Sequence, residues 1–183
     1  MERKRKVYTK TGDDGKTFTL SGERVEKNDI RIEVCGEIDE LVSWLGVITS
    51  HLDDINSEEE RKKTKDFLLL NQSRFLDITV MIMGNKNRDV GNWTDEVEKE
   101  IDDIESKLGT IKNFLLPGGS KLASFTHVAR SVCRRLERRI VEISSKSSIN
   151  PDIKRYVNRF SDYLFVLARY FNYLLGINDE KKK

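Results

Sequence analysis

Five arginines fall within ten residues, from Arg130 to Arg139, in the run Arg130-Ser131-Val132-Cys133-Arg134-Arg135-Leu136-Glu137-Arg138-Arg139. The break Pro117-Gly118-Gly119 precedes this stretch, and Ser120 can cap a helix that follows by accepting from its free N–H groups. Leu122, Phe125, Ala129, Val132, Leu136 and Ile143 recur at helical spacing and form a core-facing stripe. At about 100° per residue, Arg130, Arg134 and Glu137 share one flank of that stripe, and Arg135 and Arg139 the other. Guanidinium groups beside a buried seam demand an anion or a carboxylate. Asp39, one step round from Ile38 on an earlier helical stretch, is a natural carboxylate for one of them.

A second candidate is the polar loop Thr9-Lys10-Thr11-Gly12-Asp13-Asp14-Gly15-Lys16-Thr17. It looks like a shortened Walker A loop but fails that motif's spacing, which needs four residues between its glycines and a βαβ setting. More general physics still applies. Glycines let backbone N–H groups converge on one anion, with Lys10, Lys16 and Lys27 nearby. On spacing alone an ordinary charged surface loop is the favoured reading. Ser, His and Asp show no triad spacing, and no His/Cys cluster suits zinc. His127 stands beside the Arg130/Arg134 flank, where a lone helical histidine reads as structural or surface. Any reaction here would need a substrate that brings its own nucleophile.

The elements that must position these residues are helices. Asn28-Asp29 can cap a first one, with Val34, Ile38, Leu41, Leu45, Ile48 and Leu52 inward. Ser57 opens a second, marked by Leu68, Phe75, Ile78 and Ile82. Thr94 reads as the capped start of a third, running to about Leu108 and ended by Gly109. The arginine helix is fourth. Pro151 opens a fifth, with Ile153, Tyr156, Val157, Phe160, Leu164, Leu167 and Phe171 inward. This predicts an all-α, five-helix up-and-down bundle in a single domain over 1–183. An extended loop at about 7–27 precedes the bundle at about 28–177, and a charged tail, 178–183, follows it. Charged residues make up 35% of the 183, yet the net charge is +2, which excludes a polybasic nucleic-acid binder. Cys35 and Cys133 read as small buried thiols rather than a disulfide. No run of about 18 apolar residues predicts a membrane span. With no signal-peptide pattern at the start, the expectation is a cytoplasmic protein.

Taken in order, these stretches closely resemble the ATP:cob(I)alamin adenosyltransferases of the PduO type. The matching pieces are Tyr8-Thr9-Lys10-Thr11-Gly12-Asp13, Ser21-Gly22-Glu23-Arg24-Val25, Lys27-Asn28-Asp29 and Gly36-Glu37-Ile38-Asp39-Glu40-Leu41. Leu116-Pro117-Gly118-Gly119, the stretch from His127 to Arg139, and Asn158-Arg159-Phe160-Ser161-Asp162-Tyr163-Leu164-Phe165 complete the set. Each piece alone is weak, but the ordered set is specific and spans about residues 7 to 175. The resemblance implies transfer of the 5′-deoxyadenosyl group of ATP to Co(I) of cob(I)alamin, forming adenosylcobalamin and releasing triphosphate, with Mg²⁺ required. It also implies a homotrimer with sites between subunits, a cobalamin reductase upstream, and a B12-dependent enzyme accepting the product.

Carried over by position, Thr9, Lys10, Thr11, Gly12, Thr17, Phe18 and Lys27 would hold ATP. Arg134, Arg135, Leu136, Glu137, Arg138 and Asn158 would complete that site. Arg130 would pair with Asp39 near the corrinoid, and Phe114 would sit on the lower face of the corrin. Arg134, Asp39, Arg130 and Phe114 are the expected catalytic set, and no protein side chain is expected to ligate metal. Asp14 and Phe18 depart from the family, which usually has a basic and a small polar residue there. A non-catalytic bundle that carries or senses ATP and adenosylcobalamin is the alternative reading.

Overall fold

The apolar spacing is realised as helices whose stripes turn inward. A computed structural model describes residues 8, 10–84, 89–111, 113–146 and 149–180. Among them the chain forms a hairpin, β1 (Lys16–Phe18) and β2 (Arg24–Glu26), followed by five helices. These are α1 (Ile30–Ser50), α2 (Glu58–Gly84), α3 (Trp93–Glu105), α4 (Lys121–Ser144) and α5 (Pro151–Leu174). The strands are antiparallel, pairing Lys16 with Glu26, Thr17 with Val25 and Phe18 with Arg24. The sequence shows only extended or turning chain here, because three-residue strands are too short to display a period of two.

Helix starts follow their caps. Asp29 accepts from the Arg31 N–H at 2.9 Å, Ser120 from Ala123 at 3.0 Å, and Asn150 from Asp152 at 3.0 Å. The start of α3 differs from expectation. It begins at Trp93, and Asn92 precedes it without a side-chain cap bond, so Thr94 is not the cap. Packing fixes this start instead: the Trp93 ring lies 5.4 Å from Tyr156 and under the guanidinium of Arg74. The polar break after α1 holds a short 3₁₀ turn, Leu52–Asp54, whose Leu52 is buried together with Ile55.

α4 packs between α1 and α5, α5 between α4 and α3, and α1 against α2. All seven stripe residues of α5 are buried, and so are Tyr163, Val166 and Ala168, so α5 is enclosed well beyond one face. Phe75 and Tyr163 meet Phe160 at ring distances of 5.0 and 5.4 Å. The Tyr156 hydroxyl donates to Asn71 at 2.7 Å, and Asn71 in turn donates to the Phe67 carbonyl at 2.7 Å. That chain of bonds satisfies the polar groups this aromatic core would otherwise strand. Cys35 and Cys133 are separate free thiols, as expected. Burial pushes both up, Cys35 to about 11.

The two glycines before α4 are not equivalent. Gly119 has φ +100°, and a Cβ there would fall 2.4 Å from the Asn172 amide. A Cβ on Gly118 meets open space. Gly119→Ala is expected to lose about 1–3 kcal/mol in urea unfolding. Gly118→Ala should stay within about 0.5 kcal/mol of the parent. Equal losses would show that the loop, rather than the Asn172 contact, sets the requirement.

Candidate functional site

The loop before α1 is shaped by its backbone. Lys10 sits at φ 61°, and the Gly15 N–H closes a turn onto the Gly12 carbonyl at 3.3 Å. A Cβ on Gly12 would lie 3.1 Å from the Lys16 carbonyl and 3.2 Å from the Lys27 ammonium. The missing side chain at Gly12 therefore lets the Lys27 ammonium lie over the turn. Lys16 is held by Glu26 at 3.1 Å, and Arg24 is held by Asp14. Asp14 also accepts from the Lys16 N–H at 3.2 Å. Lys27 has no carboxylate partner among the described residues, so its charge is available to an anion at the turn. Phe18 is 53% exposed, with the Arg24 guanidinium 5.8 Å from its ring centre. Thr9 lies outside the described residues.

The two flanks of α4 have different fates. Arg135 donates to Glu37 at 2.6 and 2.7 Å and also meets Glu40, while Arg139 reaches Glu33 at 3.2 Å and Glu142 at 3.0 Å. This flank is neutralised by α1 and by its own helix. On the other flank Glu137 accepts from Asn158 of α5 at 2.8 Å. Arg130 and Arg134 have no carboxylate among the described residues. The Nε of Arg130 is buried without a partner. Burial, then the charge of Arg134, pulls Arg130 below its usual value. Arg138 is exposed and donates to the Arg134 carbonyl at 3.0 Å.

The expected run 134–138 is thus not one surface. Leu136 is fully buried, so its side chain belongs to the core, and Arg135 faces α1. The Asp39–Arg130 pair does not form within one chain. Asp39 shares a strip of α1 with Cys35 and Val42, which face Thr79 and Gln72 of α2. Arg130 shares the flank of α4 whose Glu137 meets Asn158 of α5, so the two lie on different faces of the bundle. Nor does any hydrogen bond or ion pair among the described residues join loop residues Lys10, Gly12 or Lys27 to Arg130, Arg134 or Asn158. Phe114 is 86% exposed, the most exposed of the large apolar side chains among the described residues.

A helical bundle with a cationic glycine turn, two arginines without a carboxylate partner among the described residues and a projecting aromatic ring has the parts needed to hold a polyanion beside an apolar ligand. More specifically, the chain belongs to the cobalamin adenosyltransferase family, whose model matches residues 7–171. It is 37% identical over 177 residues to the corrinoid adenosyltransferase of Bacillus subtilis, covering 95% of this chain and 90% of that one. It is 35% identical over 173 residues to the human corrinoid adenosyltransferase MMAB, covering 90% of this chain and 68% of the relative. Among solved structures, a variant PduO-type ATP:corrinoid adenosyltransferase from Lactobacillus reuteri, complexed with cobalamin and ATP, superposes with a TM-score of 0.88 at 35% identity. That match covers 97% of this chain and 99% of that one.

His127, read from sequence as structural or surface, is buried, with Nδ1 lacking a partner. Burial, then the charge of Arg130, lowers it to about 4, and Asp179 opposes the shift. The folded chain therefore holds a neutral imidazole. The unfolded chain takes up a proton near 6.5, so stability is lost as pH falls from about 6.5 toward about 4. His127→Gln should lose less melting temperature than the parent between pH 7 and pH 4.5. Parallel losses in the two proteins would place the acid sensitivity elsewhere.

Proposed function

We propose that this chain transfers the 5′-deoxyadenosyl group of ATP to the cobalt of cob(I)alamin, at sites shared between copies of the chain. Phe114 carries the reading, because a phenylalanine left exposed by the fold, on a loop beside the arginine helix, suits the face of a large planar ligand. Family membership and the ATP- and cobalamin-bound Lactobacillus reuteri relative support it. The exposed ring also favours an enzyme over a carrier or sensor, which has no need to alter the cobalt's lower face.

The absence of a triad fits this chemistry. The cobalt electron pair forms the bond to C5′, the C5′–O bond breaks, and triphosphate leaves with that bond's electrons. The protein then has to align and to stabilise charge. Alignment alone can be worth about 7–11 kcal/mol. Lys10, Thr11, Gly12, Thr17, Phe18 and Lys27, with Thr9, would hold ATP from one chain. Arg134, Glu137, Arg138 and Asn158 would complete the site from another, the guanidinium groups bearing on the leaving triphosphate. No group of three His, Cys, Asp or Glu among the described residues is placed to hold a metal. Mg²⁺, which the family resemblance implies, would be held mainly by ATP and water and would supply charge neutralisation for the leaving triphosphate. Asp39 and Arg130, on different faces of one chain, would meet across a subunit boundary in a homotrimer. A cytoplasmic setting, with a reductase supplying Co(I) and a B12-dependent enzyme accepting the product, completes the proposal.

The deciding assay combines the purified chain, ATP, Mg²⁺ and chemically reduced cobalamin, and follows adenosylcobalamin by absorbance. No product would overturn the reading. Phe114→Ala should fold and bind ATP like the parent. Its turnover should fall severely when Co(II) must be reduced by a protein donor, and less when Co(I) is supplied. Equal impairment in both assays would remove Phe114 from the corrin's lower face. Sedimentation should give a trimer at assay concentration, and a fully active monomer would overturn the shared site.

A further inference from the structure

Beyond α5 the chain does not run away from the bundle. Gly176 sits at φ 67°, its N–H donates to the Tyr173 carbonyl at 3.1 Å, and the Ile177 N–H donates to the Asn172 carbonyl at 2.8 Å. This paired closure of a helix end reverses the chain. Residues 178–180 therefore return along α5 toward the loop that precedes α4. There the Glu180 carbonyl accepts from the Leu116 N–H at 2.8 Å.

Three side chains tie the same loop from below. Asn172 is 2% exposed. Its amide nitrogen donates to the Gly118 carbonyl and to Asp179, both at 3.1 Å, and its oxygen accepts from the Ser120 N–H at 2.8 Å. Both its donors and its acceptor are thereby used inside the protein. Arg169 is 8% exposed and donates to Asp179 at 3.0 Å and to the Gly109 carbonyl at 2.9 Å. Asp179 joins the two, one oxygen to each. The loop is thus fixed at Gly109 on one side of Phe114 and at Leu116, Gly118 and Ser120 on the other. Phe114 itself is left exposed by the described residues.

We propose that Arg169, Asn172 and Asp179 form a clasp that positions the loop presenting Phe114, and so act as positioning residues for the corrin-facing ring. The geometry supports this in two ways. Arg169 and Asn172 are buried and Asp179 is half-buried, and all three are paired with one another or with the loop, whereas the ring they support is almost wholly exposed, so the rigidity of the ring's mount comes from the clasp. The clasp also closes only when residues 178–180 are folded back, which makes that segment part of the site without touching a ligand. The role assigned to the ring rests on the proposed function. The anchoring itself does not.

The test uses Asp179→Ala and the milder Asp179→Asn in the full chain. Amide exchange in the free protein reads the anchoring, at Leu116 and Ser120 against α1 as an internal control. Asp179→Ala should raise exchange at these two amides at least tenfold and leave α1 unchanged, with Asp179→Asn intermediate. Turnover from Co(II) with a protein donor should fall at least tenfold, turnover from preformed Co(I) less than threefold, and KM for ATP should hold. Unchanged exchange would overturn the clasp. Raised exchange with both turnovers unaffected, or with both reduced equally, would overturn its positioning role. A parent chain that makes no adenosylcobalamin would overturn the proposed function, and the clasp would then stand or fall on exchange alone.

Discussion

The organisation of this protein follows from the cost of placing guanidinium groups next to a buried seam. α4 carries arginines on both flanks of its apolar stripe, and desolvation penalises each unless an opposite charge is close. On the α1 side the fold supplies that charge itself, through Glu33, Glu37 and Glu40. On the α5 side it supplies little: Glu137 is engaged by Asn158, and Arg130 keeps a buried Nε without a partner. The first flank is spent on assembling the bundle. The second is left electrostatically unfinished, a deficit that would add affinity for the triphosphate in the proposed function. The same logic applies to the glycine turn, where Lys16 and Arg24 are neutralised locally and Lys27 is not.

Much of this was legible in the sequence because helical periodicity is a local property. The α5 stripe, the Asp29 and Ser120 caps and the division of α4 into two flanks all follow from residues within a few turns of one another. Helical spacing places Asp39 on a flank but does not say which neighbour that flank meets, so its pairing with Arg130 inside one chain was not decidable from spacing. The contiguous run 134–138 is spread over several faces of α4 for the converse reason. A motif counts residues in a row, whereas a helix distributes them over its circumference, sending Leu136 inward and Arg135 toward α1.

Most of what the sequence hid in the loop before α4 is of one kind: polar contacts between residues far apart in the chain. Asn172 to Gly118 and Ser120, Arg169 to Gly109, and Leu116 to Glu180 each join segments more than fifty residues apart, and no local pattern announces them. One partial signal existed. A glycine directly after an apolar helical stripe, followed by an acidic residue, marks a chain that turns back with a charge to place. The local departures in the first loop also acquire a physical account. Asp14, where the family usually has a basic residue, is bound to Arg24 across the hairpin, and Phe18 lies beside the same guanidinium. Both side chains thus meet the same guanidinium on the hairpin that leads into α1.

Division of labour between rigid and exposed parts explains how a protein without a nucleophile can be an effective catalyst. Leaving a phenylalanine in water forgoes roughly 2 kcal/mol that burial would return, so the fold loses stability by presenting Phe114. A ring so placed is useful only if its approach to a ligand is reproducible, because misplacement of about 1 Å can cost about a hundredfold in rate. Packing cannot provide that reproducibility, since in the proposed role the ring has to stay open to the corrin. Backbone anchoring can, and buried, fully paired hydrogen bonds are the stiffest means available to a loop. The Asn172 amide, with every donor and acceptor engaged, meets that requirement, and the absence of a side chain at Gly119 is what lets it come close enough to do so.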